Sequence, residues 1–153
     1  MKHKDILRIA IPIAAAAHDD QTRFNGDPYI FHPIRVMMAV EEYDQKIVAI
    51  LHDVIEYTDI TIGELAVMLD LDKESPIIQA IDCLTKKDDM DYSEYIQRIG
   101  FSHLTRKVKM ADLKDNLNLL EIPEIKEKHL ENTKKYYDSY KYLEQVEREN
   151  HGH

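Results

Sequence analysis

Apolar residues recur at helical spacing along most of this 153-residue chain, in blocks separated by short polar turns. Asp5 to Ala17 reads as a first, buried helix. His32-Pro33 opens a second, running to about Glu42, with Pro33 at its first position. A third runs from Asp44 to Tyr57. Thr61 and Glu64 have capping-box spacing at the start of a short helix to Leu69. Ser75-Pro76 starts another, to about Leu84, and Asp91 to Ile99 a further one that stops at Gly100. From Ser102 to Leu120 the apolar positions Met110, Leu113, Leu117 and Leu120 keep helical register, and Pro123 ends the run. The last helix spans about Thr133 to Glu149, with Tyr136, Tyr140 and Leu143 on one side as a packing face. Between Asp19 and Phe31 the pattern lapses around the turn dipeptide Asn25-Gly26 and Pro28. His151-Gly152-His153 reads as a frayed tail rather than a metal site. The expectation is an all-α bundle, one domain over residues 1–153.

Composition narrows this further. Four Gly and five Pro without regular spacing argue against a β-sandwich. Cys83 is the single cysteine, so no disulfide framework exists and a cytoplasmic setting is expected. The apolar stretch Ile9 to Ala17 is too short to span a bilayer. A formal charge of -9 disfavours nonspecific binding to DNA, RNA or an anionic membrane. A small phosphorylated ligand stays compatible, provided a metal or a few Lys and Arg neutralise it locally.

The chemistry concentrates in His52-Asp53-Val54-Ile55-Glu56. An imidazole and two carboxylates fall within one turn, flanked by Ile47, Val48, Ala49, Ile50, Leu51, Val54 and Ile55. Polar groups carried into such apolar surroundings must be paired or metal-bound. A divalent metal with an acid/base group beside it meets that need. His32, His52, Asp53 and Asp112 are the candidate ligands, a mixed imidazole and carboxylate set that suits Mn, Fe, Zn or Ni better than calcium. His52 and Asp53 would diverge by roughly 100° on a continuous helix, so an ion would have to sit over the edge between them. Downstream, Asp112 and Asn116 share a face, so one can bind metal while the other orients water or substrate. Asp115 reads as a solvated helix residue.

Three ordered strings carry a resemblance. AHDDQTRFNGDPYIFHP at 17–33, HDVIEYTDIT at 52–61 and KMADLKDNL at 109–117 resemble motifs of the hydrolase domain of the RelA/SpoT family, within the wider HD phosphohydrolase superfamily. The segment around Leu84-Thr85-Lys86 adds to it, and the match covers residues 14 to 117. It implies a helical HD fold with one Mn²⁺ held by His32, His52, Asp53 and Asp112, another divalent transition metal being an alternative. It implies removal of the 3′-pyrophosphate from a guanosine alarmone such as ppGpp. In that scheme Glu56 matches the catalytic acid, Asn116 an active-site amide and Arg23 a residue against the nucleobase. Lys86, Lys109 and Arg23 become candidates for neutralising the pyrophosphate, with a solvated-face reading open for each Lys. The chain has no room for the family's synthetase domain and reads as a stand-alone small hydrolase.

The sequence departs from the family at three places. Tyr57 stands where the second motif has Asp, Phe24 where a basic residue often follows Arg23, and Leu113 where the third motif has Arg. Tyrosine can contact a phosphate but is a neutral donor near pH 7. Alternative readings are therefore an HD nucleotidase or pyrophosphatase acting on another nucleotide, or a metal-containing nucleotide-sensing module. His18 is expected to be a hydrogen-bonded structural histidine, His103 and His129 to face solvent, and the tyrosine face of the last helix to allow a homo-oligomer contact.

Overall fold

The computed structural model describes residues 1–150, so the tail at 151–153 lies outside the described residues. Helices follow one another as α1 (His3–Ala17), α2 (Phe31–Met38), α3 (Tyr43–Leu51), α4 (Val54–Tyr57), α5 (Ile62–Met68), α6 (Pro76–Leu84), α7 (Tyr92–Ile99), α8 (His103–Asn116) and α9 (Glu127–Asn150), with one 3₁₀ turn at Leu119–Glu121. Among the described residues no strand forms, and the all-α expectation holds.

Two helices form the spine. In α3 the five consecutive residues Ile47 to Leu51 are fully buried, so this helix has no solvent face along that stretch. It packs against α1, α2, α6 and α8, while α8 also meets α2, α6, α7 and α9. Helix α1 buries a single stripe, Ile6, Ala10 and Ala14 at four-residue spacing, and Ile11 on its other side is exposed. It is a one-faced helix rather than the buried one expected. Among the described residues no helix is long and apolar enough to cross a membrane.

The caps follow the sequence closely. Thr61 and Glu64 exchange hydrogen bonds with each other's backbone N–H at 3.1 and 3.2 Å, the expected capping box. Ser75 Oγ accepts from the Ile78 N–H ahead of Pro76. In the loop after α1, Gly26 adopts φ +87°, a region where a side chain would be strained, and Asn25 Oδ1 accepts from the Asp27 N–H at 3.0 Å. This tight turn folds residues 21–29 back on themselves, with Arg23 N–H donating to the Asp27 carbonyl and Tyr29 N–H to the Gln21 carbonyl, both at 2.9 Å.

Three boundaries differ from the sequence pattern. Helix α2 ends at Met38, because Glu42 is taken as the N-cap of α3, in a capping box with Gln45. Helix α8 ends at Asn116, and Asn118 turns its side chain onto the Leu120 N–H, the local competition that makes Asn a poor helix interior residue. Leu120 is consequently 95% exposed instead of continuing the apolar stripe. Helix α9 starts at Glu127, with the Lys126 N–H bonded to His129 Nδ1 at 2.9 Å.

Candidate active site

The expected third helix is interrupted at His52-Asp53, between α3 and α4. Asp53 sits at φ -103°, ψ -2°, out of regular helix geometry. That break removes the divergence a continuous helix would impose on adjacent side chains. Both can then face one point.

His32 near the start of α2, the His52-Asp53 turn, and Asp112 on α8 converge there. His32 Nε2 lies 2.9 Å from Asp112 Oδ1 and 3.6 Å from Asp53 Oδ2; His52 Nε2 lies 3.2 Å from each. Adjacent donors around one first-row ion with bonds of about 2.1 Å are spaced at about these distances. One ligand atom each from His32, His52 and Asp53 lies within 4.8 Å of the others.

The candidate ligand atoms are each oriented from behind. His32 Nδ1 lies 2.6 Å from Asp115 Oδ2, and His52 Nδ1 donates to the Ala49 carbonyl at 2.5 Å, so each ring presents Nε2 to the cluster. The Tyr29 hydroxyl donates to Asp53 Oδ2 at 2.6 Å, and Lys109 Nζ to Asp112 Oδ2 at 2.8 Å. Asp115 is in turn clamped by Arg35, whose Nε and Nη2 lie 2.7 and 3.0 Å from its two oxygens. Asp115 is thus no solvated helix residue. Its carboxyl is held well below the ordinary range, because burial is outweighed by the bonds from His32 and Arg35.

With both Nδ1 atoms committed, each Nε2 faces only carboxylate oxygen. Burial alone would lower both imidazoles, yet Asp112 and Asp115 raise His32, and Asp53 and Asp112 raise His52 well above the usual value. Conversely, Asp112 is held well below its usual range by Lys109 and His52 against the cost of burial. Such a nest of imidazoles and carboxylates must hold either protons or a cation. The donor set fits a divalent transition metal.

A cavity of about 380 Å³ opens over this cluster, within the usual range for small-molecule sites. Glu56, Tyr57, Lys86, Lys109 and Asn116, all picked from sequence, line it together with the ligand residues. Glu56 Oε1 accepts from the Lys86 N–H at 3.3 Å, and Lys86 Nζ, exposed, reaches only the Lys87 carbonyl. Lys109 is neither solvated nor free. Asp112 keeps it charged, raising it well above the ordinary lysine value although burial opposes this. Arg23 is not on the cavity lining: Nη2 lies 3.4 Å from Asn116 Oδ1 and 3.7 Å from Glu121 Oε2, with its guanidinium 4.9 Å from the Phe24 ring centroid. Asn116 in turn directs Nδ2 at Asp112 Oδ1, 3.3 Å away.

Sequence reasoning passed over Tyr29, Tyr92, Tyr95, Lys135 and Tyr136, which also line the cavity. Tyr29 lies inside the first motif and could have been found there. Lys135 and Tyr136 come from α9, so part of its tyrosine face belongs to the cavity wall. His18 is buried and hydrogen-bonded as expected, with Nδ1 2.8 Å from Gln21 Oε1. His103 is partly exposed, and its Nδ1 lies 2.8 Å from Glu147 Oε2.

Known proteins resemble the chain in sequence and in architecture. No protein-family model matches the chain. A guanosine-3′,5′-bis(diphosphate) 3′-pyrophosphohydrolase of Vibrio cholerae is 33% identical over 115 residues, covering 72% of this chain and 16% of that protein. The bifunctional (p)ppGpp synthase/hydrolase SpoT of Escherichia coli is 30% identical over 113 residues, 71% of this chain and 15% of its own length. The chain thus spans about a sixth of these curated relatives. Among solved structures, one described as a metazoan ortholog of SpoT that hydrolyzes ppGpp superposes with a TM-score of 0.70 at 20% identity, over 95% of both chains. By sequence and by fold together, the chain is related to the RelA/SpoT proteins and shares the all-α HD-type fold of their hydrolase domain.

Proposed function

We propose that this chain is a Mn²⁺-dependent (p)ppGpp 3′-pyrophosphohydrolase. One observation carries the reading. Four ligand-type groups from α2, the α3–α4 turn and α8 meet at the floor of a cavity whose wall holds a further carboxylate, Glu56, bonded only through Oε1 to the Lys86 N–H among the described residues. His32, His52, Asp53 and Asp112 would hold the ion. A divalent cation there supplies charge neutralisation for phosphate oxygens and lowers the pKa of water from 15.7 towards roughly 7.

The rest falls to the chain's own residues. Water oxygen bonds to the phosphorus on the ribose 3′-oxygen, the bond from that phosphorus to the 3′-oxygen breaks, and pyrophosphate leaves. Glu56 takes the proton from the attacking water and returns one to the departing 3′-oxygen, restoring itself and leaving a 3′-hydroxyl. Proton shuttling of this kind is worth about 10²- to 10⁴-fold in rate. Lys86, on the cavity rim, supplies positive charge for the outer phosphate. Asn116 fixes Asp112 from the side and ties it to Arg23.

Incubating the Mn²⁺-loaded chain with ppGpp, GTP and deoxynucleoside monophosphates tests this. Pyrophosphate from ppGpp supports the reading. Inorganic phosphate from a monophosphate, or tight nucleotide binding without product, overturns it in favour of a nucleotidase or a sensing module.

A further inference from the structure

We propose that Tyr92 and Lys135 form a diphosphate-holding pair on the wall of the cavity, the Tyr92 hydroxyl donating to a phosphate oxygen of the bound nucleotide while the Lys135 ammonium answers its charge. The proposal deepens the hydrolase reading and rests on it for the class of ligand. The placement of the two side chains rests on geometry.

Helix α7 turns one face inward, with Tyr95, Ile96 and Ile99 buried. Tyr92, its first residue, shares that face with Tyr95 and Ile96 by i, i+3 and i, i+4 spacing. The rings of Tyr92 and Tyr95 lie 5.9 Å apart, and both line the cavity. Their hydroxyls differ. Tyr95 donates to the Leu84 carbonyl at 2.6 Å, as Tyr29 on the same lining donates to Asp53 at 2.6 Å. The Tyr92 hydroxyl is shut off from solvent and has no partner among the described residues. A buried hydroxyl without a bond is costly, and folded proteins keep few of them. A ligand oxygen in the cavity would relieve that cost.

A free cation lies directly over this ring. Lys135 Nζ, from α9, sits 4.3 Å from the Tyr92 ring centroid. Asp138, one turn further along α9, is taken by Lys134 at 2.7 Å, and no carboxylate pairs with Lys135 among the described residues. Lys109, on the same lining, is spent on Asp112. This wall therefore presents one unpaired ammonium beside one unpaired O–H, a donor set that matches both the charge and the oxygens of a phosphate. Between α7 and α9, a second hollow of about 300 Å³ is lined by the same two residues and gives the long, exposed Lys135 side chain room to turn. An anion entering the cavity draws the ammonium off the ring and reaches the phenol beneath it. The nucleotide ppGpp carries one diphosphate on its 3′-oxygen and one on its 5′-oxygen, and the pair suits either.

Calorimetric titration of the Mn²⁺-loaded chain with inorganic pyrophosphate and with guanosine 5′-diphosphate tests this without turnover. Tyr92→Phe should weaken at least one of the two by about 10- to 100-fold, the loss of one hydrogen bond to a charged acceptor. Loss confined to pyrophosphate assigns the pair to the 3′-diphosphate, and loss confined to the nucleotide assigns it to the 5′-diphosphate. Lys135→Ala should weaken the same probe by up to about fivefold. Tyr137→Phe, at an exposed tyrosine off the cavity lining, should change neither. Without ligand, Tyr92→Phe should melt within about 2 °C of the parent or above it, because its hydroxyl has no internal bond to lose. A larger fall in melting temperature, parent-like affinity for both probes, a Lys135→Ala effect on the other probe alone, or a parent that binds neither probe each overturns the proposal. If Tyr92 holds these probes and ppGpp still yields no pyrophosphate, the hydrolase reading falls and the pair stands.

Discussion

The floor of the cavity and its wall are built to different standards. On the floor, every ligand-type group has a second tie: His32 to Asp115, His52 to the Ala49 carbonyl, Asp53 to Tyr29, Asp112 to Lys109. On the wall, Lys86 Nζ reaches only its neighbour's carbonyl, Lys135 lies over the Tyr92 ring at 4.3 Å, and Tyr57 is half exposed. Rigid floors favour precise coordination, since ligands locked by outer hydrogen bonds need no reordering when a cation arrives. A loose wall leaves long side chains to be ordered by the nucleotide, which weakens binding but tolerates variation in the ligand.

The comparison breaks first at Asp112. Asp112→Ala removes one proposed ligand and leaves Lys109, His32 and His52 facing one another in the core. Retention of Mn²⁺ after dialysis, read by metal analysis, should be lost, and stability should fall by about 3–5 kcal/mol, as expected when one partner of a buried ion pair is removed. Retained metal at parent stoichiometry would mean that the four groups do not form one site. Asp115→Asn is gentler, because it keeps the shape and removes only the charge behind His32. Calorimetric titration with Mn²⁺ should show affinity reduced by about 10- to 100-fold, with little change in fold.

The floor also predicts a pH signature. In the metal-free chain His32 and His52 are raised above the ordinary imidazole value by carboxylates that outweigh burial. Raised groups stabilise the fold fully below the unfolded value near 6.5, and that stability is lost as pH rises through the folded one. Asp112 and Asp115 are depressed, so their contribution is present above the unfolded value near 3.9 and lost as pH falls below it. Melting temperature in chelator should therefore peak between those limits and decline on the alkaline side. With Mn²⁺ present the alkaline decline should vanish, since the cation takes the place of the Nε2 protons. Identical alkaline limbs with and without metal would separate the imidazoles from the metal site.

The same contrast explains what could be read from the chain. The convergence of His32, His52, Asp53 and Asp112 was legible because few residue types suit a mixed imidazole and carboxylate cluster, and apolar flanks such as Ile47 to Leu51 marked the place as buried. The break between α3 and α4 was not, because helix propensity continues through Val54 and Ile55 and only the convergence on a shared point interrupts it. Asp115 was misjudged for a related reason: its neighbours Lys114 and Asn116 look solvated in sequence, and its partner His32 lies 83 positions away. Lys135 and Tyr136 carried no signal, since Lys and Tyr on an amphipathic helix look alike whether they face solvent or a cavity. Helix ends were missed where a polar side chain captured the backbone, as Asn118 does beyond α8.

Lys135 offers the finest test of the wall. Its ammonium sits over Tyr92 and within 5.7 Å of the Tyr136 ring centroid, so the aromatic faces hold its position without neutralising it. The charge is left available to an anion entering the cavity, but a partly solvated charge is screened and contributes up to about 1 kcal/mol. Lys135→Ala should therefore raise KM for ppGpp by no more than about fivefold and leave kcat and Mn²⁺ affinity unchanged. Raising ionic strength should shrink the difference between variant and parent, as it does for exposed charges. A fall in kcat or in metal affinity would show instead that α9 is coupled to the floor, and that the two regions are not independent.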